Sequence, residues 1–355
     1  MARELIEIQS DEEALLFAAG CLRAAAGLAI AQRLRPAFPT APNWSLPIMD
    51  LISTRPRLLG LICGASAVAM GMAYMLAAGA PSRYLLVNLA ALVLGATAWL
   101  ALGRTGRSSL DWAGPATLAL SVPLLLTALL GIPVDGATRW VSVGPLSLQV
   151  SLIVVPVMII LYARRPDLAG TAGIMAAALA LAAQPDRAMA GVLAAGLLAL
   201  LLARPARLPI LAAAASVFAF GWALLAPDTL PAVPYVDQIL YTAFDVHPLA
   251  GAAVAIGAAL LVMPAAAGLI GKGGDRAALL AFGGCWAAVI AAAALGNYPT
   301  PLVGYGGSAV LGYLLSVALL PAGAGDSEAR ALESSRAAGR VPDRTISKLR
   351  APRPA

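Results

Sequence analysis

Ten apolar runs constrain this chain more than any other feature: 58–78, 84–102, 112–132, 147–163, 168–183, 188–203, 208–226, 248–269, 277–295 and 302–320. A bilayer core about 30 Å thick takes about 20 residues of helix to cross, and the runs are close to that length. The fold class they predict is an all-α polytopic membrane protein with about ten transmembrane helices. The shorter runs, 168–183 and 188–203, need flanking residues or a place inside the bundle. Of 355 residues, 60% are hydrophobic and 12% charged. Soluble domains carry about a quarter charged residues, so a soluble enzyme is excluded.

Orientation follows from the basic residues, because positively charged short loops stay in the cytoplasm. Loops holding Arg55/Arg57, Arg104/Arg107, Arg164/Arg165, Arg204/Arg207 and Lys272/Arg276 alternate with loops that carry only Arg83, Arg139 and Arg187. The alternation puts both termini inside and five poorly basic loops outside. Residues 1–54 open with Glu4, Glu7, Asp11, Glu12 and Glu13, and continue into a small-residue stretch interrupted by Arg23. An arginine at mid-helix opposes insertion, so this segment reads as a cytoplasmic or interfacial helix preceding a membrane domain at 55–322. The basic tail, 323–355, is poor in large apolar side chains and is expected to be disordered.

Three cysteines (Cys21, Cys63 and Cys285) and one histidine (His247) build neither a disulfide framework nor a Cys/His metal cluster. The net charge of +6 is spread over loops and tail rather than gathered in one patch, which argues against a nucleic-acid partner.

Between Leu58 and Leu320 there is no glutamate, and the only lysine is Lys272, on the inner side. Outward acid–base chemistry therefore falls to Asp135, Asp186, Asp228, Asp237 and Asp245, although a loop aspartate is ordinarily a turn former or helix cap. Three outward segments stand out. The first contains Arg139 and Trp140 among alternating apolar residues, suited to the headgroup boundary, where a guanidinium can meet phosphate. The second, Pro231 to Tyr241, sets Asp237 where an aromatic, apolar helix begins. The third, Pro299-Thr300-Pro301-Leu302-Val303-Gly304-Tyr305-Gly306-Gly307-Ser308, has the prolines and glycines of irregular backbone, which at membrane depth must be buried in protein or line a cavity.

Together these segments resemble the FtsW/RodA family of shape, elongation, division and sporulation (SEDS) proteins. The family's G-A-R-R-W-I and G-x-x-x-x-Q-P-S-E signature is occupied by Gly136-Ala137-Thr138-Arg139-Trp140-Val141 and by Gly144 to Gln149-Val150-Ser151-Leu152. Its Q-P-D-x-G-T is similar to Gln184-Pro185-Asp186. Its P-x-x-H-T-D-F-I-F-A-x-x-x-E-E-x-G aligns with Asp237-Gln238-Ile239-Leu240-Tyr241-Thr242-Ala243-Phe244-Asp245 through Gly251, and its P-x-P-F-x-S-Y-G-G-S-S with Pro299 through Ala309. The chain departs from the family at Leu152 and Val155, where members carry glutamate and lysine; at Ala188 and Met189, in place of glycine and threonine; and at Tyr235-Val236, in place of histidine-threonine. The family's long outward loop before the aspartate is reduced here to 226–236.

The resemblance implies polymerisation of peptidoglycan glycan strands from lipid II, an undecaprenyl pyrophosphate-linked disaccharide, on the outer face of the bacterial cytoplasmic membrane beside a class B penicillin-binding transpeptidase. It implies Asp237 as the catalytic base and Asp245 in support. Arg139, Trp140, Arg187, Tyr305, Gly306, Gly307 and Ser308 are the expected substrate contacts, the arginines because a guanidinium fork matches pyrophosphate oxygens. A divalent cation could share the leaving-group charge, though no ligand cluster demands one. Two other classes stay open: a SEDS-like scaffold that has lost activity, favoured by the lost polar positions and the short loop, and a transporter of lipid-linked sugar, disfavoured because the polar residues gather in loops rather than at mid-membrane.

Overall fold

A computed structural model describes residues 55–104, 110–134, 136–144, 146–228, 230–271 and 275–321. The expectations for 1–54, for the tail 323–355 and for Asp135 lie outside these residues. Helices α1 (Pro56–Ala77), α2 (Ser82–Arg104) and α3 (Ala113–Leu130) lead into three strands, β1 (Ile132–Val134), β2 (Ala137–Val143) and β3 (Leu146–Gln149). Then come α4 (Val150–Arg164), α5 (Leu168–Ala183), α6 (Arg187–Leu201), α7 (Arg207–Leu224), α8 (Ile239–Val246), α9 (Pro248–Leu260), α10 (Met263–Ile270), α11 (Arg276–Leu295) and α12 (Gly307–Ala318).

The protein is a polytopic, largely α-helical membrane protein. By length and composition α1, α2 through Leu102, α3, α7 and α11 can each cross a bilayer, and the bent pair α9–α10 makes a sixth candidate. Burial sorts them: 72% of the α11 window is inside the protein against 22% of that of α2, so α11 is an inner helix and α2 an outer one. Leu129, Leu130, Phe218 and Leu225 are exposed, as apolar side chains facing hydrocarbon would be.

The innermost helix is α4, which packs against α3, α5, α6, α11 and α12. Twelve of its 15 residues are buried, the mark of a helix apolar all round rather than along one stripe. At 1.5 Å per residue it is about 22 Å long, short of the hydrocarbon thickness. Pro156 within α4 has no N–H to offer the Leu152 carbonyl four residues back. Gly312 of α12 packs against that same carbonyl, where a Cβ would overlap the oxygen.

The expected all-α multi-spanning class stands, with two details the apolar runs did not show. A small three-stranded antiparallel sheet of order β1-β2-β3 lies between α3 and α4. Trp140 pairs with Gln149 and Val143 with Leu146, and the turns rest on Gly136 and Gly144 at φ +83° and +59°, which glycine adopts without a Cβ clash. The run 248–269 is two helices bent by 47°. Pro264 explains the break: its ring and missing N–H disrupt the turn that would include Leu260. The hydroxyl of buried Tyr313 donates to the Leu261 carbonyl at the bend (3.4 Å).

Candidate functional site

The polar residues divide between the two ends of the bundle. At one end Arg57 donates to the Leu320 carbonyl (2.5 Å), Arg164 to that of Leu319 (3.0 Å) and Arg204 to that of Ala163 (3.1 Å). Arg204 also lies 3.6 Å from Asp275, and Arg165 pairs with Asp111. The other end gathers the sheet, the 184–186 turn, the strap 225–238 between α7 and α8, and the loop 296–306.

Asp237 is buried, with 8% of its surface exposed. Its Oδ2 accepts from the Val233 N–H at 2.8 Å while its own N–H donates to the Val233 carbonyl at 3.0 Å. The carboxylate thus closes the turn before α8 instead of capping α8, whose N-cap, Gln238, makes no side-chain capping bond and donates to Asn297 Oδ1 instead (2.6 Å). A bridge joins Asp237 to Pro299; Thr300 N–H donates to the Val236 carbonyl (2.8 Å) and Tyr305 N–H to that of Tyr235 (2.7 Å). Burial raises the proton affinity of Asp237, and the Val233 N–H only partly opposes it. Tyr235, Gln238 and Leu302 occupy the left-handed region at φ +64°, +57° and +62°, strain concentrated in the two loops around the carboxylate.

Arg139 on β2 is 3% exposed. Its Nη2 donates to Asp228 Oδ2 at 2.9 Å and to the Pro185 carbonyl at 2.6 Å, and Tyr298 O–H donates to the same Asp228 oxygen at 2.7 Å. Burial works against the guanidinium charge, but Asp186 and Asp228 outweigh it and hold the group above its ordinary pKa. Burial likewise raises Tyr298, with Asp228 adding to the effect.

Asp186, fully buried, caps α6 by accepting from Met189 N–H (3.1 Å), and its Oδ2 accepts from Ser151 (2.8 Å) and Gln149 (3.4 Å). Gln149 N–H in turn donates to Ser308 Oγ at 3.1 Å. Three parts of the chain, 149–151, 186–189 and Ser308, therefore meet in one hydrogen-bonded cluster.

Of the expected site residues, Ser308 and Arg139 join this cluster, and Arg187 reaches across to the Ala226 carbonyl. Trp140 is half-buried in β2. Tyr305 stacks on Tyr84 with centroids 3.9 Å apart, and Gly306 and Gly307 form the turn into α12. Asp245 is exposed on α8, away from these contacts. His247 caps α9 through Nδ1, which accepts from Leu249 N–H (3.1 Å). Among the described residues no three Asp, Glu, His or Cys side chains gather to hold a metal.

The sequence reading assigned no role to Asn88, which clamps the third loop by donating to the Gly304 carbonyl (2.8 Å) and accepting from Gly306 N–H (3.1 Å). An amide alone in the apolar run 84–102 was the available signal, because such a group must find partners inside the protein. Comparison with protein-family models, curated proteins and solved structures gives no match. Established, then, is a multi-spanning α-helical membrane protein with a buried, polar, strained cluster at one end of its bundle.

Proposed function

We propose that this chain is a divergent SEDS-like glycosyltransferase of about ten spans, both termini cytoplasmic, that polymerises lipid-linked disaccharide on the outer face of the bacterial cytoplasmic membrane. The observation that carries the reading is Asp237. It is a buried carboxylate of raised proton affinity, set among strained loops at the end opposite the clustered arginines. In the reaction an acceptor hydroxyl oxygen bonds to the anomeric carbon of the donor. The bond from that carbon to pyrophosphate breaks, the hydroxyl proton passes to Asp237, and polyprenyl pyrophosphate leaves. A base so placed commonly contributes about a hundred- to ten-thousand-fold. Among the described residues only Val233 hydrogen-bonds the carboxylate, through Oδ2, which leaves Oδ1 to receive the proton.

Gathering of the motif segments into one cluster supports the family reading, and collection of basic groups at the other end supports that end as cytoplasmic. A second reading, a scaffold for a cell-wall complex, is favoured by Leu152 and Val155. Both are apolar and buried where family members carry charge. The test is polymerisation of labelled lipid II by the purified full chain, alone and with a co-expressed class B transpeptidase. Glycan strands support transfer, and their absence with the partner present favours the scaffold.

A further inference from the structure

Two arginines at the outward end, Arg139 buried and Arg187 half-buried, are underused. Arg139 meets Asp228 through a single nitrogen, shared with the Pro185 carbonyl, and its buried Nε has no acceptor. Arg187 gives Nη2 to the Ala226 carbonyl, and its Nε is also buried without an acceptor. Buried donors of this kind are rarely left unsatisfied. Both hold the same stretch of the strap: Arg139 meets Asp228 itself, whose Oδ2 also takes the Tyr298 hydroxyl, and Arg187 holds the Ala226 carbonyl two residues before it. A carboxylate engaged at one oxygen leaves the guanidinium forks open, whereas a phosphate presents three or more oxygens and greater charge.

Asp228 itself stands on a strap rather than on a helix. Pro227, Pro231 and Pro234 interrupt the strap, and Asn297 holds it at the Leu230 carbonyl (2.9 Å). The Asp228 side chain keeps 11% exposure against 3% for Arg139, so it lies on the water side of the pair.

We propose that Arg139, Arg187 and Tyr298 form a seat for a phosphate or pyrophosphate group, and that Asp228 is its built-in occupant, displaced when that anion binds. The strap carrying Asp228 also carries Asp237 nine residues on, so the seat and the proposed base belong to one segment. The choice of ligand rests on the transfer reading above; the seat and its occupant rest on the contacts alone.

An occupant that fills a site most of the time lowers apparent affinity by the fraction of time the site is open. Asp228→Asn in the purified full chain should therefore bind inorganic pyrophosphate at least about tenfold more tightly than the unaltered protein by titration calorimetry. Adding Arg139→Gln should abolish the gain. Equal affinity in the two proteins, or a gain that survives Arg139→Gln, overturns the proposal. A short-chain polyprenyl pyrophosphate in parallel separates the sources: stronger binding than inorganic pyrophosphate marks a lipid-borne ligand, and equal binding a free one, the seat standing in either case.

Should Asp228→Asn fail to fold, hydrogen exchange across 226–230 in the unaltered chain decides. It should quicken with saturating pyrophosphate, and unchanged or slower exchange overturns the displacement. Neither measurement needs turnover. An inert protein that gives the pyrophosphate response counts against the transfer reading alone, and an active one without it counts against the seat alone.

Discussion

Val233 and Asp237 hold each other by a closed pair of hydrogen bonds, backbone to backbone at 3.0 Å and backbone to carboxylate at 2.8 Å. The aspartate is thereby fixed at the mouth of α8 without serving as its cap. Its burial has a measurable consequence.

A carboxyl whose native pKa lies above its ordinary value of 3.8 binds its proton more tightly in the folded than in the unfolded chain. As pH rises from that value through the raised native one, the unfolded chain has already lost the proton that the native state must still give up, so stability falls. Thermal unfolding of the purified protein from about pH 4 to 7 should show this loss, and Asp237→Asn should flatten it. An identical slope in both proteins would mean that the carboxyl is not perturbed.

Arg139 and Asp228 form the most enclosed ion pair among the described residues. Removing one member of such a pair strands the other, and Arg139→Ala should cost about 3–5 kcal/mol in denaturant unfolding. A loss under about 1 kcal/mol would class the pair with exposed salt bridges.

Gly312 and Gly221 should respond in opposite directions. A methyl group at 312 overlaps the Leu152 carbonyl between α12 and the innermost helix, so Gly312→Ala should lower the melting temperature. A Cβ at 221 meets nothing within 4 Å, and Gly221→Ala within α7 should stabilise by up to about 1 kcal/mol through helix propensity.

Topology is testable with single cysteines on a background lacking the three native ones. In intact cells an impermeant reagent should modify positions 186, 237 and 306 and spare 104, 164, 204 and 272. The buried positions 186 and 237 are read through their exposed neighbours 183 and 238. Labelling of 164 but not 237 would invert the orientation.

Much of the helical order was legible because the bilayer fixes how long an apolar run must be: helix occurs in every one of the ten runs. The bend after Leu260 was written in Pro264, but a run counted only by hydropathy passes over it. Strands of three to seven residues between two helices left a weak signal, the alternation around Trp140. Arg139 and Asp237 could be singled out as polar residues of the weakly basic loops. The partner of Arg139 could not, since Asp228 lies 89 residues away and only the packing of the strap brings them together. The same holds for Gln149, Asp186 and Ser308, joined through contacts that no local spacing encodes.

The most direct test of the proposed chemistry is the rate of lipid II polymerisation by Asp237→Asn, purified with the co-expressed transpeptidase beside the unaltered chain. Asparagine keeps an oxygen for the Val233 N–H but cannot take the acceptor's proton. The rate should fall at least about a hundredfold while expression and melting temperature at neutral pH are not lowered. Full activity in Asp237→Asn would contradict the account.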